Sequence, residues 1–401
     1  MDNNNYTSPY HQYEALLATE AVASVKMGAG NAFAGLQQFY DTHQDWLFGH
    51  LAYDLKNENT HLQSANFDGI GFPDLYFFKP RIVMLLEQHQ VRIGGEAFTA
   101  AQAQEVYRQC LSMPVTVIPP PQPAVLPPLQ SRINQQQYLQ AVQALQEHIL
   151  RGDCYEVNFC RENYMEQVVV CPVTLFKRLN TLSPAPFAAY YRMEDKYLVC
   201  SSPERFLQKQ AATLISQPIK GTSRKNEDAQ LDEQYRNELH TNAKERAENI
   251  MVVDLVRNDL SYTAVPGSVQ VAELCGIYSF AQVHHMISTV TAKLDDAIPF
   301  VQALHHAFPM GSMTGAPKLR VMELIERYEQ TKRGLYSGAV GYITPQGNFD
   351  FNVVIRSILY NATQQYLSFQ TGSAITFQSQ PQKEWEECLL KARAMEIAIS
   401  C

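Results

Sequence analysis

The stretch Pro-Ile-Lys-Gly-Thr, residues 218–222, contains the side chain best suited to covalent chemistry. Lys220 lies between a strand-like run, residues 213–216, and Gly221, which allows the backbone to turn sharply. Such a position holds an amine at the mouth of a pocket, where desolvation is expected to lower its pKa and make it a nucleophile. A surface lysine in a turn has the same local pattern, so the interpretation depends on the residues that accompany it.

Two pairs of glutamates have the spacing of side chains on one helix face. Glu245 and Glu248 belong to one predicted helix, and Glu384 and Glu387 belong to another. Either pair alone is typical of a solvated helix surface. If the two helices converge, four carboxylates form a cage that suits Mg²⁺, with waters left for a substrate carboxylate.

A second group of residues suits another anion. Arg356 interrupts an apolar run, residues 351–359, that predicts a buried strand, so its guanidinium needs an anionic partner. That partner is either a substrate carboxylate or an internal ion pair. Tyr336 opens a nearby strand, Gly372 offers a backbone amide, and Lys391 follows the second glutamate pair on its helix. These residues indicate a small substrate with two carboxylates.

Two further motifs have simpler explanations. His285 alternates with Ile287 on a predicted strand, where a histidine is more often a satisfied core group than a catalyst. Residues 311–318 lack the spacing of a phosphate-binding loop, so nucleotide binding is rejected. Thr314 as a helix N-cap, with Pro317 in the first turn, accounts for this segment.

Composition excludes several classes of function. The chain has 401 residues, of which 46% are hydrophobic and 18% charged, and a formal net charge of −8. This charge provides no basic surface for nucleic acid or an anionic membrane. The eight cysteines include no Cys-x-x-Cys pair, and neither a signal peptide nor a membrane-spanning apolar run is recognisable. We expect a cytoplasmic protein with reduced thiols.

The remaining pattern predicts the elements that position these residues. Helices followed by antiparallel hairpins recur, which favours an α+β fold of large antiparallel sheets with helices outside. The predicted elements include helices over residues 12–27, 134–151, 232–256 and 382–397 and strands over residues 46–53 and 349–359.

Seven prolines between Ser112 and Leu129 mark the one clear linker in the sequence. Such a run favours a stiff, extended chain. We therefore divide the sequence into an N-terminal region, 1–111, packed on the core, a proline-rich linker, 112–130, and a domain, 131–401, that carries every candidate site residue.

From about Asn134 to its end, the sequence resembles the chorismate-utilising enzymes. The resemblance rests on a series of motifs in the same order along the chain. They are Gly-Asp-Cys-Tyr-Glu-Val-Asn (152–158), Ser-Pro-Glu-Arg-Phe (202–206), and residues 218–222, 248–259, 310–318 and 333–342. Arg356 and residues 384–391 complete the series. It implies a four-layer α/β/β/α core of orthogonally packed sheets. Residues 1–110 resemble the family only weakly.

The resemblance also assigns roles to the candidate residues. Mg²⁺ would bind the ring carboxylate of chorismate, held by Glu248 and Glu387 directly and by Glu245 and Glu384 through water. His285 would lie beside the ring. Thr222 would lie near the reacting edge. The enolpyruvyl carboxylate would be bound by Tyr336, Arg356, Gly372 and Lys391.

Within this family, the residue at position 220 separates two activities. Anthranilate synthases have alanine there, whereas lysine is the mark of aminodeoxychorismate synthases, in which it attacks C2 of chorismate and expels the C4 hydroxyl. Glu204 would be the general acid for that hydroxyl. Ammonia then adds at C4 and displaces the lysine, giving 4-amino-4-deoxychorismate. Because no amidotransferase nucleophile motif is visible, the ammonia would come from a separate glutamine amidotransferase or from solution.

Two departures and two alternatives accompany this interpretation. Position 156 is glutamate, where family members of this activity often have glutamine and isochorismate synthases have lysine, and residues 371–374 lack the second glycine usual in the family. One alternative is an anthranilate synthase component, against which Lys220 argues. The other is a non-catalytic chorismate-binding protein, against which the intact acid, lysine and glutamates argue.

Overall fold

A computed structural model describes residues 1–60, 62–88, 90–113 and 126–400. Within these ranges the strands are β1 (Ala15–Met27), β2 (Leu47–Leu51), β3 (Leu75–Glu87), β4 (Gln90–Gly94), β5 (Gln130–Ser131), β6 (Glu156–Met165), β7 (Phe187–Met193), β8 (Lys196–Ser202), β9 (Arg205–Gln210), β10 (Thr213–Gln217), β11 (Ile219–Arg224), β12 (Gln270–Ser279), β13 (Val283–Lys293), β14 (Gly315–Ala316), β15 (Ala339–Ile343), β16 (Phe349–Asn352), β17 (Ser357–Asn361) and β18 (Tyr366–Ile375).

The helices follow the same order along the chain. Short 3₁₀ helices cover Tyr53–Lys56 and Gly311–Met313. The α-helices are α1 (Ala32–His43), α2 (Asn57–Thr60), α3 (Ala100–Ser112), α4 (Gln135–Leu150), α5 (Pro172–Leu182), α6 (Ala229–Thr241), α7 (Ala243–Ser261), α8 (Phe300–Ala307), α9 (Lys318–Tyr328) and α10 (Pro381–Ser400). Among them, none combines the length and the apolar character needed to cross a membrane.

The strands form two sheets, and within each sheet all neighbouring strands pair antiparallel. The larger sheet has eleven strands in the order β1-β3-β2-β15-β16-β9-β10-β13-β11, with β4 beside β3 and β12 beside β13. The smaller sheet has seven strands in the order β14-β6-β18-β17-β8-β7, with β5 beside β6. The predicted α+β fold with two antiparallel sheets is confirmed.

The main hydrophobic core includes side chains from both sheets. Leu207 and Phe351 of the larger sheet are buried in one cluster with Leu198 and Cys200 of the smaller sheet. Helices α6 and α7 pack on β11 to β13, whereas α4, α5, α9 and α10 pack on the smaller sheet through two further apolar clusters. This arrangement is the α/β/β/α layering, and each fully buried aliphatic side chain stabilises it by about 1.5–3 kcal/mol.

The N-terminal region shares the larger sheet with the rest of the chain. Strand β2 pairs with β15, and Gly49 lies opposite Gly341 in that pairing. Of the predicted linker, residues 114–125 lie outside the described residues. At its two ends, Ser112 closes α3 and Gln130 opens β5.

Two helix predictions are wrong. Residues 15–27 form β1, which pairs along its length with β3, so tertiary pairing overrides the helix propensity of its alanines. The long helix predicted over 232–256 is two helices that meet at Asn242. The Asn242 side chain accepts from the amides of Lys244 and Glu245 at 3.0 and 3.1 Å, which caps the second helix.

The strand predicted over 349–359 is also two strands, and they belong to different sheets. Strand β16 ends at Asn352 in the larger sheet, and β17 begins at Ser357 in the smaller one. Arg356 lies in the crossing with a left-handed φ of +50°. The chain therefore presents this arginine where it passes between the two sheets, not from the middle of a strand.

Candidate active site

Lys220 lies in a bulge of β11. The pairing with β13 shifts between Ile219 and Thr222, so Lys220 and Gly221 together face a single residue, Met286. Gly221 has a φ of +93°, and a Cβ atom there would lie 3.1 Å from a glutamate carboxylate of α7. The backbone conformation therefore favours glycine, and a side chain here would also crowd the helix.

The Lys220 ammonium contacts a carboxylate that no local sequence pattern connects to it. Its Nζ atom lies 2.5 Å from Oε1 of Glu156, the first residue of β6, and both side chains are buried. Burial lowers the pKa of Lys220, but Glu156, Glu248 and Glu204 raise it, and the net pKa lies above its ordinary value. The prediction of a lowered pKa is therefore wrong, because the charge partner outweighs desolvation.

Glu204 is a buried acid whose surroundings favour its uncharged form. It is buried immediately before β9, where its amide donates to the Ser202 hydroxyl at 3.2 Å and its carbonyl accepts from the amide of Val353 at 3.0 Å. Burial raises the pKa of the Glu204 carboxyl to about 7, against a lowering effect of nearby Lys220. A carboxyl with this pKa is protonated for much of the time at neutral pH and can act as a general acid.

His285 and Thr222 lie opposite each other in the pairing of β13 and β11. The Thr222 hydroxyl is 2.9 Å from Nδ1 of His285. Burial, followed by the charges of Arg356 and Lys391, lowers the pKa of His285 to about 3. The imidazole is therefore neutral at physiological pH, which suits a hydrogen-bonding or packing role beside a ligand more than proton transfer.

Arg356 places a cation in the crossing between the two sheets. Its backbone carbonyl accepts from the amide of Ser201 at 3.1 Å, which anchors the crossing between the sheets. Among the described residues, no carboxylate oxygen lies within the 4.0 Å of an ion pair with its guanidinium. Burial lowers its pKa, and nearby Tyr336 and Glu387 partly offset this effect. Within the described residues the internal ion pair considered from the sequence is absent, so the guanidinium is available to an anionic ligand.

Gly372 belongs to β18 of the smaller sheet, and Lys391 belongs to α10. Gly372 pairs with Cys160 of β6, and a Cβ atom on Gly372 would lie 2.6 Å from the Cys160 Sγ atom, so only glycine fits. The carbonyl oxygen of Gly372 accepts from Nζ of Lys391 at 2.9 Å, and the same Nζ lies 2.6 Å from Oε1 of Glu387. Strand β18 continues to Ile375, so this glycine lies within the strand and not at its end.

The two glutamate pairs are brought together by α7 and α10. Nζ of Lys244 lies 3.6 Å from Oε1 of Glu248 and 3.6 Å from Oε1 of Glu384. Burial raises the pKa of Glu248 to about 7 and also raises that of Glu245. The pKa of Glu387 is lowered overall, because burial, which raises it, has a smaller effect than the Lys391 ammonium, which lowers it.

The donor chemistry of this cluster fits a hard divalent cation. Its four acidic side chains offer only carboxylate oxygens, and Oε1 of Glu248 is buried with no hydrogen-bond partner in the part of the chain that the structure describes. In those same residues no three His, Cys, Asp or Glu side chains are grouped as metal ligands. Instead, the ammonium of Lys244 lies between Glu248 and Glu384 and compensates their charge.

Sequence reasoning missed the partners of the candidate residues. Lys244 precedes Glu248 by one helical turn, a spacing that signals an ion pair on a helix. The contact between Glu156 and Lys220 spans 64 positions and has no local signal. The role given to Thr314 is wrong, since α9 is preceded by Pro317 with no side-chain cap and the Thr314 hydroxyl donates to the carbonyl of Met310 at 3.1 Å.

Comparisons with known proteins show which family the chain belongs to. The model of the family described as chorismate binding enzyme matches residues 6–396. Aminodeoxychorismate synthase component 1 of Bacillus subtilis is 32% identical over 365 residues, which cover 89% of this chain and 77% of that protein. The protein of the same name from Salmonella typhimurium is 39% identical over 258 residues, covering 64% and 56%. Anthranilate synthase component 1 of Thermus thermophilus is 31% identical over 356 residues, covering 88% and 76%.

Solved structures share the fold. Anthranilate synthase component I from Streptococcus pneumoniae superimposes with a TM-score of 0.83 at 23% identity, covering 97% of this chain and 93% of that one. MenF, the menaquinone-specific isochorismate synthase of Escherichia coli, gives a TM-score of 0.75 at 18% identity, covering 96% and 85%. At these identities the likeness concerns the fold alone, but the family match spans almost the whole sequence. The chain therefore belongs to the family of chorismate binding enzymes.

Proposed function

We propose that this enzyme converts chorismate and ammonia to 4-amino-4-deoxychorismate, as an aminodeoxychorismate synthase component 1. The observation that carries the proposal is the buried amine of Lys220, held in a bulge with Glu156 in contact and the Glu204 carboxyl close enough to influence its pKa. A nucleophile and an acid that lie close together suit substitution of a hydroxyl group. The relatives that bear this name, at 32% and 39% identity, support it further.

The other site residues would bind and orient the two carboxylates of chorismate. Arg356, which has no ion-pair partner in the described residues, would bind the enolpyruvyl carboxylate together with the Tyr336 hydroxyl. Lys391 would contribute positive charge beside Gly372. His285, neutral and buried, would contact the ring, and Thr222 would lie near the reacting edge.

Mg²⁺ belongs to this proposal as the counter-ion of the ring carboxylate. Glu248 and Glu387 would hold it directly, and Glu245 and Glu384 would do so through water, because the cluster offers carboxylate oxygens only. Bound there, the ion would neutralise the substrate carboxylate and draw electron density from the ring. Lys244 would then move away from Glu248 and Glu384, because its ammonium lies between them in the described conformation.

Ammonia would be supplied by a partner. The relatives are named component 1, which implies a second component. We propose that this component is a glutamine amidotransferase that releases ammonia near Lys220. The product would then serve the synthesis of 4-aminobenzoate and folate.

The product itself tests the proposed function. Purified protein is incubated with chorismate, Mg²⁺ and ammonium salt, and the products are identified by mass before and after aminodeoxychorismate lyase is added. We expect a product that the lyase converts to 4-aminobenzoate. Anthranilate formed without the lyase would favour the second candidate, an anthranilate synthase component. No turnover with either ammonium or an added amidotransferase would favour a binding protein.

Removal of a metal ligand is expected to abolish the response to Mg²⁺. Glu248→Gln keeps the size of the side chain but loses its charge, so affinity for Mg²⁺ in the presence of chorismate should fall by at least about 100-fold. The readout is the rise in melting temperature that Mg²⁺ and chorismate produce together in the wild type, which reports binding without turnover.

Glu386→Gln is the matched control, because Glu386 is an exposed residue of α10 next to the predicted ligand Glu387. It should respond to Mg²⁺ as the wild type does. A full Mg²⁺-induced rise in melting temperature for Glu248→Gln would remove Glu248 from the metal site.

A further inference from the structure

Glu156 is the residue in closest contact with Lys220. Its side chain is fully buried at 0% exposure, and its Oε1 atom lies 2.5 Å from Nζ of Lys220. Its other oxygen, Oε2, is buried and has no hydrogen-bond partner among the residues that the structure describes. Within those residues the carboxylate thus serves no other hydrogen-bond network, and its one charge partner is the lysine.

The backbone around Glu156 is held by the segment 311–317. The amide of Tyr155 donates to the carbonyl of Ala316 and that of Asn158 to the carbonyl of Thr314, both at 2.8 Å. Gly315 has a φ of +136°, and a Cβ atom there would lie 2.1 Å from the carbonyl oxygen of Glu156. This glycine-containing segment therefore fixes the position of the Glu156 backbone.

A proton must leave Lys220 before it can attack. Because the surrounding carboxylates keep its pKa above the ordinary value, the resting side chain is an ammonium group with no free electron pair. The proton acceptor has to be within hydrogen-bond distance of Nζ, either directly or through one water. Glu156 meets this requirement in the structure as it stands.

We propose that Glu156 is the general base of the reaction, taking the proton from Nζ of Lys220 and later returning it when the lysine leaves. The inference rests on the proposed function, since it concerns the step in which Lys220 attacks chorismate. It gives a role to the position at which this sequence departs from the glutamine often found in the family.

The step balances without any further reactant. One proton passes from Nζ to Oε1 of Glu156, and the electron pair left on nitrogen forms the bond to C2 of chorismate. The two ring double bonds each shift by one position, the C4–O bond breaks, and the hydroxyl leaves as water with the proton of Glu204. When ammonia adds at C4, one of its protons restores the Glu204 carboxyl, the double bonds shift back and the C2–N bond breaks. The proton held by Glu156 then returns to the departing amine.

The other acids near Lys220 suit this role less well. Glu204 has a pKa raised to about 7 and is needed in its protonated form to assist the leaving hydroxyl. Three further glutamates interact electrostatically with Lys220, namely Glu245, Glu248 and Glu387. They lie on α7 and α10 and are themselves proposed metal ligands. Glu156 is separate from both groups and is the one in direct contact.

The test measures how fast Lys220 becomes covalently modified. Protein is mixed with chorismate and Mg²⁺ without ammonia, quenched at intervals and analysed by mass. At pH 7, Glu156→Gln should form the adduct about 100-fold more slowly than the wild type, since its lysine must lose its proton to solvent. The ratio of the two rates should shrink by about tenfold for each unit of pH increase, because hydroxide replaces the missing base. The titration of Glu204 affects both rates equally, so it does not change the ratio of the wild-type rate to the variant rate.

Two variants complete the experiment. Glu156→Asp keeps a carboxylate and should recover part of the rate at pH 7, which a purely structural role does not predict. Glu166→Gln, an exposed change of the same kind just after β6, should match the wild type. Adduct formation by Glu156→Gln that equals or exceeds the wild-type rate at pH 7 would overturn the proposal. Absence of the adduct in the wild type would instead overturn the proposed function.

Discussion

Lys220→Ala is expected to lose formation of 4-amino-4-deoxychorismate by at least about 10³-fold, because the proposed nucleophile is removed. Binding of chorismate with Mg²⁺ should persist, since the proposed carboxylate-binding groups, Arg356 and the glutamates of α7 and α10, are untouched. Product formation is measured by mass with an ammonium salt, and binding by titration calorimetry.

The variant also leaves the buried carboxylate of Glu156 without its cation, which costs about 3–5 kcal/mol of folding stability. We therefore pair it with the double variant Lys220→Ala/Glu156→Gln, in which no charge is stranded. Lys225→Ala is the control, because Lys225 is an exposed lysine at the end of the same strand. Undiminished synthesis by either Lys220 variant would eliminate a covalent role for this residue.

Glu204→Gln should lower kcat by about 10²–10⁴-fold, the usual contribution of a positioned general acid. The wild-type rate should fall as the pH rises through about 7, because the acid must be protonated and burial raises its pKa to about that value. The residual rate of the variant should lack this fall. The measurement is kcat between pH 5 and pH 9, a range that extends about two units on either side of the pKa of Glu204.

Stability gives a second readout for Glu204. Its folded pKa is raised above the ordinary value, so its contribution to stability is fully present below the unfolded pKa of about 4.5 and is lost as the pH rises through about 7. Glu204→Gln removes this dependence, and the variant should gain stability relative to the wild type above pH 7. An unchanged pH profile of both rate and stability would contradict the role of Glu204 as a buried acid.

Much of the fold was predictable because its signals are local. The mainly apolar residues 46–53 predict the buried strand β2, and the apolar face of residues 134–151 predicts α4, whose Tyr138, Val142 and Leu145 are buried. Where local propensity competes with pairing, prediction failed. The alanine-rich residues of β1 read as a helix, but the neighbouring strand β3 holds them extended.

The site was predictable only in part, because its local signals identify residues but not the partners that they meet in the fold. Residue types and motifs indicated Lys220, Arg356 and the glutamate pairs. Their surroundings depend on contacts between distant parts of the chain. The pKa of Lys220 is raised and not lowered because Glu156 reaches it from the other sheet. Arg356 lies in a crossing between sheets because β16 and β17 separate, and the apolar residues on both sides of Arg356 gave no sign of that break.

The central claim is that Lys220 is the nucleophile, and the mass of the peptide that contains it is the most direct measurement. Protein is mixed with chorismate and Mg²⁺ without ammonia, denatured in acid and digested. We expect this peptide to gain the mass of chorismate less one water, and added ammonia to remove the gain while 4-amino-4-deoxychorismate appears. Formation of that product while the Lys220 peptide stays unmodified at every time point would show that Lys220 is not the nucleophile.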